Sequence, residues 1–252
     1  MTKIFRVLAM VCAVGIMTVQ LPVHAQEKVR VLSDTPLQPA LIQIGEAFRR
    51  DTGNEVEFVF GPSPVVHKKI ADGETADVVI LQPEFVDELV KAGKAVPGQH
   101  PLVGRLGFGL ASRAGASSAM DFATTAGFKQ ALLNADSLIF NNLASGDNFA
   151  KVLERLGIAE AVKAKVVRLD PRAVYDRVIQ GKGNDVAVMT LPLIKTRTTL
   201  RLLGPLPPEL QIYIVYAAAS ITSATSRQAG KVFIDFLSSP AAKAMFAANG
   251  VE

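Results

Sequence analysis

The sequence predicts an α/β protein of two lobes, each a mostly parallel sheet flanked by helices, with a ligand cleft between them. Three observations carry that expectation. Short β-branched and apolar runs alternate with helical patterns along almost the whole chain, which is the pattern that yields parallel sheets. The alternation occurs in two series, separated by a Gly-rich extended run at residues 102–112, LVGRLGFGLAS. A last strand-like run, QIYIVYAAA at 211–219, leads into a final helix pair, so the first series is interrupted by the second and resumed near Ile212.

The first 25 residues stand apart from both series. Lys3 and Arg6 make a basic start, residues 7–23 are mostly apolar, and Val23-His24-Ala25 precedes the polar Gln26, as at a cleaved export signal. Gln20 and Pro22 interrupt the apolar stretch and argue against a retained membrane anchor. Cys12 follows Val11, not a small residue, and has too short an apolar segment before it for a lipoprotein. Removing residues 1–25 from 252 leaves 227, enough for one large or two small domains with a sizeable core. That chain carries 25 Lys and Arg against 23 Asp and Glu, and no basic stripe interleaved with aromatics, so nucleic acid is not an expected partner. The only Cys leaves with the signal, which excludes disulfides and thiolate chemistry. With only His67 and His100 remaining, a His-rich metal centre is excluded too, and no cofactor is expected.

Each element follows from local pattern. VRVLS (29–33) reads as a strand; Leu37, Leu41, Ile44 and Phe48 then recur at helical spacing until Gly53. EVEFVF (55–60) is the next strand, a short helix carries Val66 and Ile70, and DVVIL (77–81) is the third strand. Phe85, Leu89 and Val90 mark a helix ending at Gly93. The second series has strands SLIFNN (137–142), VVRL (166–169) and DVAVMT (185–190). Its helices run through Phe149, Val152, Leu153 and Leu156 to Gly157, and over residues 173–179. LGPLPPE (203–209) reads as turns, and Pro240 after Ser238-Ser239 as a helix start. The expected lobes are residues 26–104 with 216–252, and residues 105–215.

Four strand ends run into helix starts through small or capping residues: Ser33-Asp34-Thr35-Pro36, Gly61-Pro62-Ser63-Pro64, Leu143-Ala144-Ser145-Gly146 and Asp170-Pro171-Arg172. Ligands of open α/β sheets bind beyond the carboxyl ends of the strands, and helix N-termini offer free N–H groups and a positive dipole end. Singly, each reads most simply as an N-cap. Repeated in both series, they point to a small anion. Pro64 pre-sets a first-turn φ, and Ser63 beside it supplies a hydroxyl. For an enzyme, the visible acid–base candidates are His67, which reads as a surface residue, and Asp170, which reads as a cap.

Three stretches carry a family resemblance: HKKIADGETADVVIL (67–81) behind Ser63, LASGDNFAKVLERLG (143–157) and FIDFLSSPAAKAMFAANG (233–250). They resemble the molybdate-binding type of periplasmic solute-binding protein, the receptor of an ABC importer, and the likeness spans nearly the whole chain after the signal. It implies the type II periplasmic-binding-protein fold and a non-enzymatic, monomeric receptor in the periplasm. Its partners would be a small anion and the importer's membrane subunits. It also implies hydroxyl and N–H donors from five positions. Ser63 matches the family's serine. Pro36 stands where a serine is usual, leaving Thr35 beside it. Ser145 with the N–H of Gly146 matches the third position, Arg172 replaces a usual apolar residue at the fourth, and Thr190 stands at the fifth, often a tyrosine. The expected ligand set is therefore Thr35, Ser63, Ser145, Gly146, Arg172 and Thr190. Pro36 has no N–H to offer, and Arg172 adds a fork suited to carboxylates. The expected ligand is thus a small organic carboxylate, with molybdate or tungstate as the alternative, and an enzyme or sensor accessory on the same fold as a further one. The intact mass of the exported protein should correspond to cleavage after Ala25; a mass that retains Met1 to Ala25 would contradict the export reading.

Overall fold

The computed structural model describes residues 27–116, 122, 124–181 and 183–252; the expected export segment lies outside them. The first series comprises β1 (Lys28–Asp34), α1 (Gln38–Thr52), β2 (Glu55–Gly61), α2 (Ser63–Ala71), β3 (Val78–Leu81) and α3 (Pro83–Lys91). A long strand, β4 (Leu102–Arg113), leads into α4 (Thr125–Asn134), β5 (Ser137–Asn141), α5 (Ala144–Arg155), α6 (Ala159–Val162) and β6 (Val166–Leu169). There follow α7 (Pro171–Gln180), β7 (Asp185–Thr190), α8 (Leu191–Lys195) and β8 (Leu200–Pro205). The chain returns along β9 (Tyr213–Ser220) and ends in α9 (Arg227–Leu237) and α10 (Pro240–Ala248).

Local chemistry explains most of these limits. Helix α1 stops at Gly53, whose φ of 79° is left-handed and whose N–H caps the Arg49 carbonyl at 2.9 Å. Helix α10 starts at Pro240 with the Ser239 hydroxyl accepting from the Ala242 N–H at 3.1 Å. Four elements were not expected from the sequence: α4, the four-residue α6, the five-residue α8, and β8, which begins before the run read as turns and overlaps it. Strand β8 pairs with β4 alone and carries Gly204 and Pro205, so its sequence looks like a turn although its edge is paired.

The strands follow the order β2-β1-β3-β9-β4-β7-β5-β6, with β8 added on β4. β1 is parallel to β2 and β3, and β5 is parallel to β6 and β7, whereas β4 and β9 run antiparallel to their neighbours. Strand β4 joins the two parallel groups. Its first part, Leu102 to Gly107, pairs with β9, and its second, from Phe108 to Ala111, pairs with β7. This register aims the two groups at each other. β3 ends at Leu81 opposite Ala217, which is itself level with Leu102; β7 arrives from the other side and ends at Thr190 opposite Phe108. The carboxyl ends of both groups therefore face one crossing, about 20 Å apart along β4 at about 3.3 Å per residue.

Each group has apolar packing on both faces. Phe48, Leu41 and Phe233 cover one face of the first sheet, and Val66, Ile70 and Leu89 the other. Phe128, Phe140 and Phe149 cover one face of the second sheet, and Val174, Val178 and Ile194 the other. A buried Asp stands just before or at the start of the strand next to the crossing in each group. Asp77, just before β3, accepts N–H bonds from Arg30 (2.8 Å), Thr225 (2.9 Å) and Ser226 (2.9 Å), which ties the start of α9 to β1. Asp185, at the start of β7, accepts from the Ser137 hydroxyl and pairs with Arg177 at 3.0 Å.

The crossing is pinned by side chains as well as by strands. The Gln211 amide accepts from the Phe108 N–H at 2.8 Å and donates to the Phe108 carbonyl at 3.1 Å. Arg105 and Glu252 exchange backbone hydrogen bonds of 2.7 and 2.9 Å, and the Arg105 guanidinium lies 4.0 Å above the Tyr213 ring. Phe48 is fully buried and meets Phe233 and Phe236 edge-on at 5.1 and 5.5 Å. Phe48→Ala should cost about 3–5 kcal/mol in chemical denaturation; a loss below about 1 kcal/mol would show that this core closes around the cavity.

Candidate functional site

At the crossing, the first group presents a buried polar cluster. Strand β1 ends at Asp34, whose Oδ2 accepts the Ser63 hydroxyl at 2.7 Å and the Tyr216 hydroxyl at 3.0 Å. Ser63 opens α2 and Tyr216 lies on β9, across the end of β3, so three segments distant in sequence meet beyond the sheet edge. Asp34 is 6% exposed, Ser63 1% and Tyr216 0%, which leaves bulk water little access to the carboxylate. Among the described residues no Lys, Arg or His forms an ion pair with it.

The electrostatics follow from that isolation. Burial pushes the Asp34 carboxyl above its ordinary range; the Ser63 and Tyr216 hydroxyls, then the backbone N–H groups of Thr35 and Ser63, oppose the rise but do not cancel it. The Tyr216 phenol is pushed well up, first by burial and then by the negative charge of Asp34, so it stays protonated and donates.

The second group closes its helix starts with its own side chains. Asn141, at the end of β5, accepts at Oδ1 from the N–H of Leu143 (2.9 Å), the hydroxyl of Ser145 (3.1 Å) and the N–H of Gly146 (3.1 Å). Gly146 is required there, because a Cβ at that position would overlap the Asn141 backbone carbonyl. Asp170 caps α7, accepting from the N–H groups of Arg172 (3.2 Å) and Ala173 (3.1 Å). Arg172 is exposed, and its guanidinium has no hydrogen bond or ion pair among the described residues. Thr190 is half-buried at the end of β7 and Thr35 is exposed just after β1; neither hydroxyl has a partner among those residues.

The six expected residues thus fall into two groups facing the crossing: Thr35 and Ser63 on one side, and Ser145, Gly146, Arg172 and Thr190 on the other. Ser63 is the first helical residue rather than the cap, and its hydroxyl proton is directed at Asp34. Asp34, Tyr216 and Asn141 did not emerge from the sequence as site residues. Asp34 sat inside a recognised capping stretch, but only the fold shows which hydroxyls reach it. His67 is half-buried, 3.2 Å from Glu88 with its ring beside Phe85, and does not face the crossing cluster. Two surface depressions have volumes of about 240 and 210 Å³. One is lined by Ile70, Glu74, Lys94 and Thr222, the other by Pro83, Asp87, His100 and Leu102, and neither contains any of the six.

A family model described as bacterial extracellular solute-binding protein matches residues 29–252. The chain belongs to that family. Its fold is the type II periplasmic binding fold expected from the sequence, shared with solved relatives of low identity. The Azotobacter vinelandii periplasmic molybdate-binding protein superposes with a TM-score of 0.70 at 20% identity, covering 89% of this chain and 98% of that one. PEB3 of Campylobacter jejuni, solved with L-phospholactate bound, gives a TM-score of 0.69 at 15% identity, covering 89% of this chain and 99% of that one. Aconitate isomerase from a Pseudomonas species is 24% identical over 222 residues, which is 85% of this chain and 84% of that protein.

In this solute-binding protein the buried Asp34 should be visible in the pH dependence of stability. Its folded pKa lies above its unfolded one, so folding favours the protonated form. That stabilisation is complete below the unfolded pKa and is lost as pH rises through the folded pKa. Between neutral and mildly acidic pH the wild type should therefore gain melting temperature, and Asp34→Asn should gain less. Thermal unfolding across that range checks it, and an identical pH response in both proteins would contradict the assignment.

Proposed function

We propose that this solute-binding protein captures a small organic polycarboxylate between the two facing sets of strand ends and delivers it to the membrane subunits of an ABC importer. Arg172 is the observation that carries the reading. It presents an exposed guanidinium without an internal partner at the carboxyl end of β6, in the first turn of α7. Such a fork matches a carboxylate bidentately. The ligand would be held by Thr35 and Ser63 from one lobe and by Ser145, Gly146, Arg172 and Thr190 from the other, with Ser63 turning from Asp34 and Ser145 and Gly146 releasing Asn141 as it binds.

The likeness to a protein named for aconitate, a tricarboxylate, and to one solved with phospholactate also points to an organic acid. In this reading the chain is exported, cut after Ala25 and monomeric in the periplasm. Residues 26–104 with 216–252 form one lobe and residues 105–215 the other. Ligand shifts an open–closed equilibrium by bending the β4–β9 crossing.

A second reading, proton transfer on an unsaturated polycarboxylate, is favoured by the same buried Asp34 together with the aconitate isomerase likeness. It is read out by following the bound acids by NMR for conversion.

Titration calorimetry against citrate, trans-aconitate, succinate, sulfate, molybdate and tungstate tests the main reading. A polycarboxylate should bind tightest. Arg172→Ala should weaken it roughly 10- to 150-fold, the equivalent of about 1.5–3 kcal/mol for hydrogen bonds to a charged group. Tight molybdate binding that survives Arg172→Ala would overturn the carboxylate assignment.

A further inference from the structure

We propose that Asp34 makes ligand capture proton-coupled: a polycarboxylate anion enters the cleft together with one proton, which lodges in the Asp34–Ser63–Tyr216 cluster. This rests on the polycarboxylate reading and names the residue that sets which protonation state the cleft accepts.

The geometry leads there in three steps. The start of α2, where N–H groups and a positive dipole end would attract an anion, is already served by a carboxylate of the chain itself. That carboxylate is buried, and its charge is met by the hydroxyls of Ser63 and Tyr216 and by backbone N–H groups, with no ion pair among the described residues. A ligand carboxylate brought to Thr35 and Ser63 would lie against it. Two carboxylates in contact in a poorly hydrated site do not both stay ionised; one takes a proton. The proton taken up on this carboxylate, which already accepts two hydroxyls at Oδ2 and the N–H groups of Thr35 and Ser63, would be donated to the ligand in a short, charge-assisted bond. The repulsion that would expel the ligand is thereby replaced by a hydrogen bond to it.

The surrounding groups offer no competing acceptor for the proton. From α2 comes the neutral Ser63, and from β9 comes Tyr216, which stays protonated. Glu84 at the start of α3 acts on Tyr216 only weakly, and His67 of α2 is engaged with Glu88 of α3 at 3.2 Å. Thr35, following β1, carries no charge.

The test is calorimetry of the exported protein with trans-aconitate at neutral pH, where that acid is fully ionised, in buffers of different ionisation enthalpy. The wild type should take up about one proton per ligand, and its affinity should rise by up to about tenfold for each unit fall in pH. Asp34→Asn should bind with no proton uptake and a flat pH profile. Tyr216→Phe, which serves if the first variant does not fold, removes a donor that holds the proton off. Its Asp34 should hold a proton more readily than in the wild type, so uptake at neutral pH should fall while affinity there rises. Wild-type binding with no proton uptake and a flat profile would overturn the proposal while leaving the polycarboxylate reading intact, as would uptake that persists in Asp34→Asn. Failure of the wild type to bind any acid of the panel, with molybdate bound tightly, would instead remove the polycarboxylate reading and this inference with it.

Discussion

The antiparallel pairing of β4 with β9 is the constraint on which the rest of the molecule depends. Because Leu102 to Gly107 lie against Tyr213 to Ala217, while the next residues of β4 pair with β7, one strand belongs to two sheets. That shared strand turns two ordinary parallel arrangements into opposed ones. Had β4 paired on one side only, the ends of β1, β2 and β3 would open to solvent and Asp34 would have no facing surface. The same pairing delivers Tyr216 to Asp34, since β9 is the strand that brings a phenol past the end of β3.

Both sides of the site satisfy their helix starts internally, but with groups of opposite character. Asn141 gathers the first turn of α5 with a neutral amide oxygen, which leaves that side electrically open to an anion. Asp34 does the comparable work near α2 with a carboxylate, which leaves that side negative unless it is protonated. Arg172 lies on the neutral side. In the proposed site one wall thus carries a guanidinium and the other a buried carboxyl group. A ligand that matches it should carry unlike ends: a carboxylate for the guanidinium, and an acceptor for an acid proton.

Much of this architecture was legible in the sequence, for identifiable reasons. Leu37, Leu41, Ile44 and Phe48 announce α1 because burial of one helix face needs that spacing, and Gly53 ends it because a left-handed residue was needed. Strand runs gave way to helical periodicity at the right places in the first series, whereas α4, α6 and α8 of the second were not read from the sequence. The polar cluster was not legible. Asp34 meets Ser63 across 29 residues and Tyr216 across 182, and no local pattern encodes such a meeting. The Gly146 contact was half-legible: a glycine at a helix start suggests close approach, but the carbonyl it approaches, that of Asn141, belongs to the preceding strand. Strand β8 stayed hidden because Gly204 and Pro205 speak for a turn, and only its pairing with β4 speaks for a strand.

The Gln211 amide has a mechanical meaning of its own. It satisfies the N–H and the carbonyl of Phe108 at the point where β4 passes from one sheet to the other. The Phe108 carbonyl also accepts from the backbone N–H of Leu206 at 3.1 Å, so the side chain shares that oxygen with the main chain. A side-chain amide lets go by turning about its own torsions, and neither β4–β9 nor β4–β7 has to lose register when it does. The joint is therefore held by two ladders together with one rotatable side chain, and only the side chain's share of its stiffness can change without disturbing a sheet.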